Sequence, residues 1–439
     1  MLPDPEPEPA HPAGHGALPL DLLPDNSEVS AGGRLSIAGV DIVDLVAEIG
    51  TPVFLYDEDH LRRRCREAVD AWGDGVAYAS KAFLCRAMAR LACDEGMMID
   101  VSTAGEMHVA LAAGVPAGRL VLHGNNKSEP ELLRALSEGV GRIIVDSFDE
   151  IDRLERLAPR SGRRPAVMVR VTPGIEAHTH EYVMTGQDDS KFGFGLASGA
   201  AAEAVGRLIR PDCPVELVGL HAHIGSQVFS LDSFEKAVAV LADFFLPLGL
   251  PELCVGGGLG VAYVSGEESP SIRYWAESVR AAARAAGIGE KVRLSAEPGR
   301  SIVAAGAITC YTVGTIKDIP GIRTYVSVDG GMSDNPRPVL YGSGYEAFLV
   351  RSVDAQRPRT VTVVGKHCES GDVIVRDAQV PADLSVGDLL ATPVTGAYGH
   401  SMASTYNKVP RPPVVFLRNG AARTVVRRES LDDLMALDL

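Results

Sequence analysis

Between residues 76 and 296, eight short β-rich runs recur with helical patterns between them. The runs are VAYAS (76–80), MMIDV (97–101), RLVLH (119–123), RIIVD (142–146), AVMVRV (166–171), VELVGLH (215–221), ELCVG (252–256) and VRLSA (292–296). Segments such as AGEMHVALAAG, EPELLRALSEG and DEIDRLERLA fall between them and carry apolar residues at helical spacing. Strands joined by helical crossovers pair in parallel, and eight such units over about 250 residues predict a (β/α)8 TIM barrel. An open doubly wound sheet alternates in the same way, but no run here is followed by a GxGxxG turn opening a helix.

The pattern changes near residue 305. AITCYTVGTIKDI, TYVSVDGG, RTVTVVGKH, DVIVRDAQV and DLLATPV are β-branched and alternating, with little helix between them. The expected organisation is a disordered acidic, proline-rich tail over 1–28, a segment over 29–50 whose strand joins the β domain, a barrel over 51–305 and an all-β domain over 306–439. A formal charge of −15 argues against broad contact with nucleic acid or anionic membrane, while leaving room for a local cationic pocket. No apolar run approaches the roughly 20 residues a spanning helix needs. Seven scattered cysteines without a CxxC pair suit a reducing cytoplasm.

Barrel chemistry collects where strands end at their C-terminal side. Those positions hold Lys81, Asp100, His123, Asp146, His221 with His223, the glycines 256–258, and Glu297 with Arg300. A lone lysine at a strand end commonly snorkels to water. Polar or glycine residues at seven of the eight ends instead predict a lined pocket with Lys81 buried in it. GGGLG (256–260) brings bare backbone N–H groups toward an anion, and AEPGRS (296–301) follows the last strand, where barrels often hold phosphate. Glu297 and Arg300 also have the spacing of a local ion pair. An amine, a phosphate cradle and a carboxylate together suggest pyridoxal phosphate, with Lys81 as its Schiff-base lysine and Glu297 keeping the ring nitrogen protonated.

HAH (221–223) and HTH (178–180) raise metal-dependent hydrolysis as a rival. The rival expects HxH on the first strand. Here the only strand with HxH is the sixth, and HTH falls in a loop, so no metal is assigned. In the β domain, GKHCESGD (365–372) and GAYGHSMASTYN (396–407) read equally well as loops between strands.

These motifs resemble one family in order and over the span from about residue 30 to the C-terminus. YASKA, PGIEAHTHEYVMTGQDDSKFGFG (173–195), HAHIGSQ, GGGLG, EPGRS, DGGMSDNPRPVLY (329–341), HCESGD and GAYGHSMASTYN are similar to the diaminopimelate decarboxylases, in the alanine racemase-like fold type III group of pyridoxal phosphate enzymes. The resemblance implies decarboxylation of meso-2,6-diaminopimelate to L-lysine and CO2, the last step of lysine biosynthesis. It implies that Lys81 carries the cofactor, His223 stacks on its ring and Glu297 pairs with its nitrogen. Asp100, Ser226, Gly257, Gly258, Pro298, Gly299, Arg300 and Tyr398 complete the implied cofactor site. Arg300, Arg337, Tyr341, Glu369 and Tyr398 are implied substrate ligands, and Cys368 an implied catalytic residue beside the carbon that loses its carboxylate. Cys368 and Glu369 are implied to reach a second subunit's pocket, which makes the active unit a homodimer. The loop at 173–195 is implied to close over the site. The alternatives are a sibling decarboxylase of another basic amino acid or carboxy-polyamine, and a non-catalytic homologue. Glu369, Arg337 and Tyr341 speak against the first, and the presence of Lys81, Glu297 and Cys368 against the second.

Overall fold

The computed structural model describes residues 16–175 and 190–439. The eight predicted runs become eight parallel strands: Ala77–Ala79, Met98–Val101, Leu120–Leu122, Arg142–Val145, Ala166–Thr172, Glu216–His221, Glu252–Cys254 and Arg293–Ser295. They pair in sequence order. The ring is closed by the N–H of Ala77 donating to the Ala296 carbonyl at 3.0 Å and that of Ala79 to Pro298 at 3.1 Å.

Small and medium side chains fill the barrel's interior. Ala77, Val121, Ile144, Met168 and Cys254 form a core cluster of their own, separate from the large core in which the helices pack. On the N-terminal side, Glu252 accepts from Arg142 at 3.2 Å, from Ser295 at 3.2 Å and from Arg293. One end of the barrel is therefore sealed by ions and the middle by apolar packing, which leaves the C-terminal mouth for chemistry.

The β domain draws on both ends of the chain, through a different strand from the one expected. Val53–Asp57, inside the predicted barrel segment, runs antiparallel to the long strand Ala307–Ile319 and parallel to Val414–Arg418. Every residue of VFLYD is buried, as a central strand's must be. The segment expected to join instead forms a small antiparallel sheet of its own, Ser27–Val29, Leu35–Ile37 and Val40–Asp41. It docks on the β domain through Leu35 N–H to the Val350 carbonyl and Gly420 N–H to Ala38. Disorder over 1–28 is likewise corrected for residues 16–28. Leu18, Leu22 and Leu23 are buried, and Asn26 bonds the Asp57 carboxylate at 2.8 Å. Residues 1–15 lie outside the described residues.

A loop of the β domain reaches the barrel mouth. Gly396 N–H bonds the Ala304 carbonyl and Tyr398 N–H bonds that of Ala82, at 3.0 and 2.8 Å. A side chain at Gly396 would begin 1.8 Å from the Val303 carbonyl oxygen, so only glycine permits this approach. Tyr398 itself holds φ +60°, a conformation costing about 1 kcal/mol that the two docking bonds offset.

Candidate active site

The barrel mouth opens into a cleft, and the predicted residues converge on it. Lys81, Asp100, His223, Ser226, Gly258, Glu297, Gly299, Arg300 and Tyr398 all line it. They come from five strand ends, those of the first, second, sixth, seventh and eighth strands, and from the inserted β-domain loop. Lys81 follows the first strand and is flanked by buried Ser80 and Ala82. Its own side chain is exposed within the cleft mouth, which corrects the expected burial.

Glu297 lies at the end of the eighth strand with 7 % of its surface exposed. His123 Nε2 bonds one of its oxygens and His221 Nε2 the other, each at 2.9 Å. Burial alone raises a carboxyl's pKa. Here the two imidazoles outweigh it and hold Glu297 well below the carboxylate range. Asp100 is the contrasting case, because burial pushes its carboxyl up to about 6, and its Oδ1 has no hydrogen-bond partner. No ion pair links Glu297 to Arg300; the arginine turns instead to Ser226 and Tyr263.

His223 accepts a 3.1 Å hydrogen bond at Nδ1 from the Gly257 N–H. Burial and the cations Lys81 and Arg170 keep its imidazole neutral, with the proton on Nε2 and the ring plane fixed. The glycine turn beneath is tightly seated. A Cβ on Gly257 would lie 2.3 Å from the Glu297 carbonyl oxygen, and one on Gly258 would lie 2.2 Å from that of Gly225.

Arg337 is buried beyond the cleft and donates to Tyr345 Oη at 2.6 Å. Its guanidinium lies 4.1 Å from the centre of the Tyr263 ring, while Tyr263 Oη accepts from Arg300 at 2.8 Å. One tyrosine therefore ties the two arginines together. Among the described residues, neither arginine has a carboxylate within ion-pair distance. Sequence reasoning missed Tyr263 and Tyr345; the only signal for Tyr263 was an aromatic residue three positions after GGGLG. Tyr341 ends the short helix Arg337–Tyr341. Cys368 and Glu369 are exposed and do not line this cleft. The histidines of HTH (178–180) and most of the loop expected to close lie outside the described residues.

Residues 58–304 match the pyridoxal-binding domain of the pyridoxal-dependent decarboxylases. Diaminopimelate decarboxylase of Mycobacterium tuberculosis is 47 % identical, covering 96 % of this chain and 98 % of its own. The chain belongs to the diaminopimelate decarboxylase family. The Bacillus subtilis diaminopimelate decarboxylase is 43 % identical over 95 % of this chain and 98 % of its own. The crystal structure of diaminopimelate decarboxylase from M. jannaschii in co-complex with L-lysine superposes with a TM-score of 0.87 at 29 % identity, covering 94 % of this chain and 98 % of the other.

The cofactor of a diaminopimelate decarboxylase is pyridoxal phosphate, and the cleft fits it. Lys81 offers an amine and Glu297 an ionised carboxylate in one space. Arg300 Nε and Ser301 Oγ, both lining the cleft, are buried donors with no protein partner. Unpaired donors beside a glycine turn are what a phosphate group would satisfy.

Proposed function

We infer that this protein decarboxylates meso-2,6-diaminopimelate to L-lysine and CO2, the step that completes lysine synthesis, with pyridoxal phosphate carried on Lys81. When bound, the cofactor supplies an electron-accepting ring conjugated to the bond that breaks. Glu297, ionised and pinned by His123 and His221, would pair with the ring nitrogen and stabilise its protonated form. Neutral His223, oriented by the Gly257 N–H, would stack against the ring face. Ser226, Gly258, Gly299, Arg300 and Tyr398, which line the cleft beside Asp100, would hold the phosphate, together with the adjoining Gly257 and Pro298.

The observation that carries the substrate is the pair of arginines without a carboxylate. An unpaired buried cation costs several kcal/mol. Arg337 is 4 % exposed, and its only polar partner among the described residues is a tyrosine hydroxyl. A substrate with a second carboxylate, as diaminopimelate has, satisfies that charge. A plain diamine precursor does not. Arg300, Arg337, Tyr341 and Tyr398 bind that distal carboxylate end.

The active unit is a homodimer. Cys368 and Glu369 stand exposed on a β-domain loop whose base is fixed by Cys368 N–H to Asn407 Oδ1 at 2.9 Å, and each completes the cleft of a second copy. There Glu369 meets the distal ammonium and Cys368 delivers the proton that replaces CO2. Seven cysteines, all unpaired, fit a cytoplasmic setting.

The deciding experiment compares CO2 release from meso-diaminopimelate, lysine, ornithine and arginine by the cofactor-loaded protein. Diaminopimelate is expected to dominate. Preference for any other overturns the assignment.

A further inference from the structure

His123, His221 and Glu297 bring two imidazoles and a carboxylate together, with ligand atoms within 4.8 Å of one another. The set resembles a metal site, yet both Nε2 atoms are already committed to carboxylate oxygens at hydrogen-bond distance. A carboxylate accepts and cannot donate, so each histidine carries its proton on Nε2. That tautomer leaves His221 Nδ1 bare, and it is indeed buried without a partner. An orphaned buried acceptor costs about 1–3 kcal/mol. A histidine placed only for packing has no need to incur it.

The two rings arrive from different strands, His123 after the third and His221 at the end of the sixth, and meet edge to face at 5.0 Å. The carboxylate between them is fixed in plane, because turning it breaks both bonds at once. We propose that His123 and His221 are positioning residues that hold the Glu297 carboxylate, one imidazole on each oxygen, so that its remaining lone pairs face the ring nitrogen of the cofactor. This rests on the reading of Glu297 given under Proposed function.

The surroundings define the electrostatics. Lys81, Asp100, Arg170, His223 and Cys254, from the first, second, fifth, sixth and seventh strands, are the other titratable groups that bear on this cluster. Without its two N–H donors, a carboxyl so buried is driven toward its neutral form, and a neutral acid does not hold a protonated pyridine. The histidines thus set the ring's capacity to accept electrons without touching it.

The test uses holoenzyme loaded with pyridoxal phosphate labelled with 15N in the ring. In His123→Phe and His221→Phe the 15N resonance is expected to move toward the unprotonated pyridine position, with kcat reduced about tenfold or more per lost bond. His123→Gln and His221→Gln, which keep an N–H donor, are expected to restore the resonance. Glu297→Gln is the control. If it too leaves the resonance in place, the Glu297 assignment itself falls. If it moves the resonance while both Phe variants do not, this proposal alone falls. A second measurement needs no variant to fold: 15N histidine spectra of the wild-type holoenzyme report the tautomers. A proton on Nε2 of both rings is expected, and an unprotonated Nε2 on either overturns the proposal.

Discussion

Replacing Tyr263 separates two interactions that one side chain makes. Its hydroxyl accepts from Arg300 at 2.8 Å and its ring carries Arg337 at 4.1 Å. A hydrogen bond to a charged group contributes about 1.5–3 kcal/mol, and the lower end applies because Arg300 is partly exposed. Tyr263→Phe removes that bond and keeps the ring, so a loss of about 1.5 kcal/mol, roughly tenfold in binding, is expected. Tyr263→Leu also removes the cation–π contact, worth about 2 kcal/mol for a desolvated arginine, which brings the loss to a few hundred-fold. On the proposed substrate reading the effect belongs in KM for meso-diaminopimelate rather than in kcat, because both arginines would hold the carboxylate remote from the reacting carbon. Steady-state kinetics at saturating cofactor, with thermal melts to show intact folding, make the comparison. An unchanged KM in Tyr263→Phe, or equal losses in the two variants, would falsify the bridging role.

Three further outcomes are expected. Lys81→Ala and Cys368→Ala, each inactive alone, should regain about a quarter of wild-type activity when mixed and allowed to exchange, since half the dimers are then mixed and hold one complete site of two; no recovery despite demonstrated exchange counts against shared sites. Burial pushes Asp334, beneath the Tyr311 hydroxyl at 2.5 Å, up from 3.8 to about 7. Its folded form keeps a proton that the unfolded chain releases, so its contribution is complete below about pH 4 and is lost as pH rises through 7, on the order of 4 kcal/mol in all. Melting temperatures of wild type and Asp334→Asn should therefore diverge across that window, with the wild type declining; parallel curves refute the shift. Lys127, buried, forms an ion pair with the Glu150 carboxylate at 2.8 Å and donates to the carbonyls of Gly124 and Ile144. Lys127→Met should destabilise by about 3–5 kcal/mol in urea titrations, and adding Glu150→Gln should recover part of it; a neutral single substitution contradicts the pairing.

The barrel was legible because its signal is local. Each strand and helix announces itself within a dozen residues, and the polar residues at strand ends are adjacent in sequence to the runs they terminate. The glycine turn and EPGRS, the proposed phosphate end, were legible for the same reason. Lys81, Glu297, His223 and Arg300 are thus marked by their places at strand ends, and the cleft gathers them. The small N-terminal sheet was misread because three short strands give no sign of whether they pair with one another or with a distant sheet.

The sequence by itself determined the parallel βα succession, the side of the barrel that carries chemistry, and the residue types offered there. Tertiary structure alone decided which of them meet. VFLYD enters a sheet whose other strands begin some 250 residues later. Glu297 finds partners 174 and 76 residues away, and Arg300 finds Tyr263 across 37. The physical reason is that hydrogen-bond partners and ring faces depend on how the barrel closes, and closure is a property of all eight strands together.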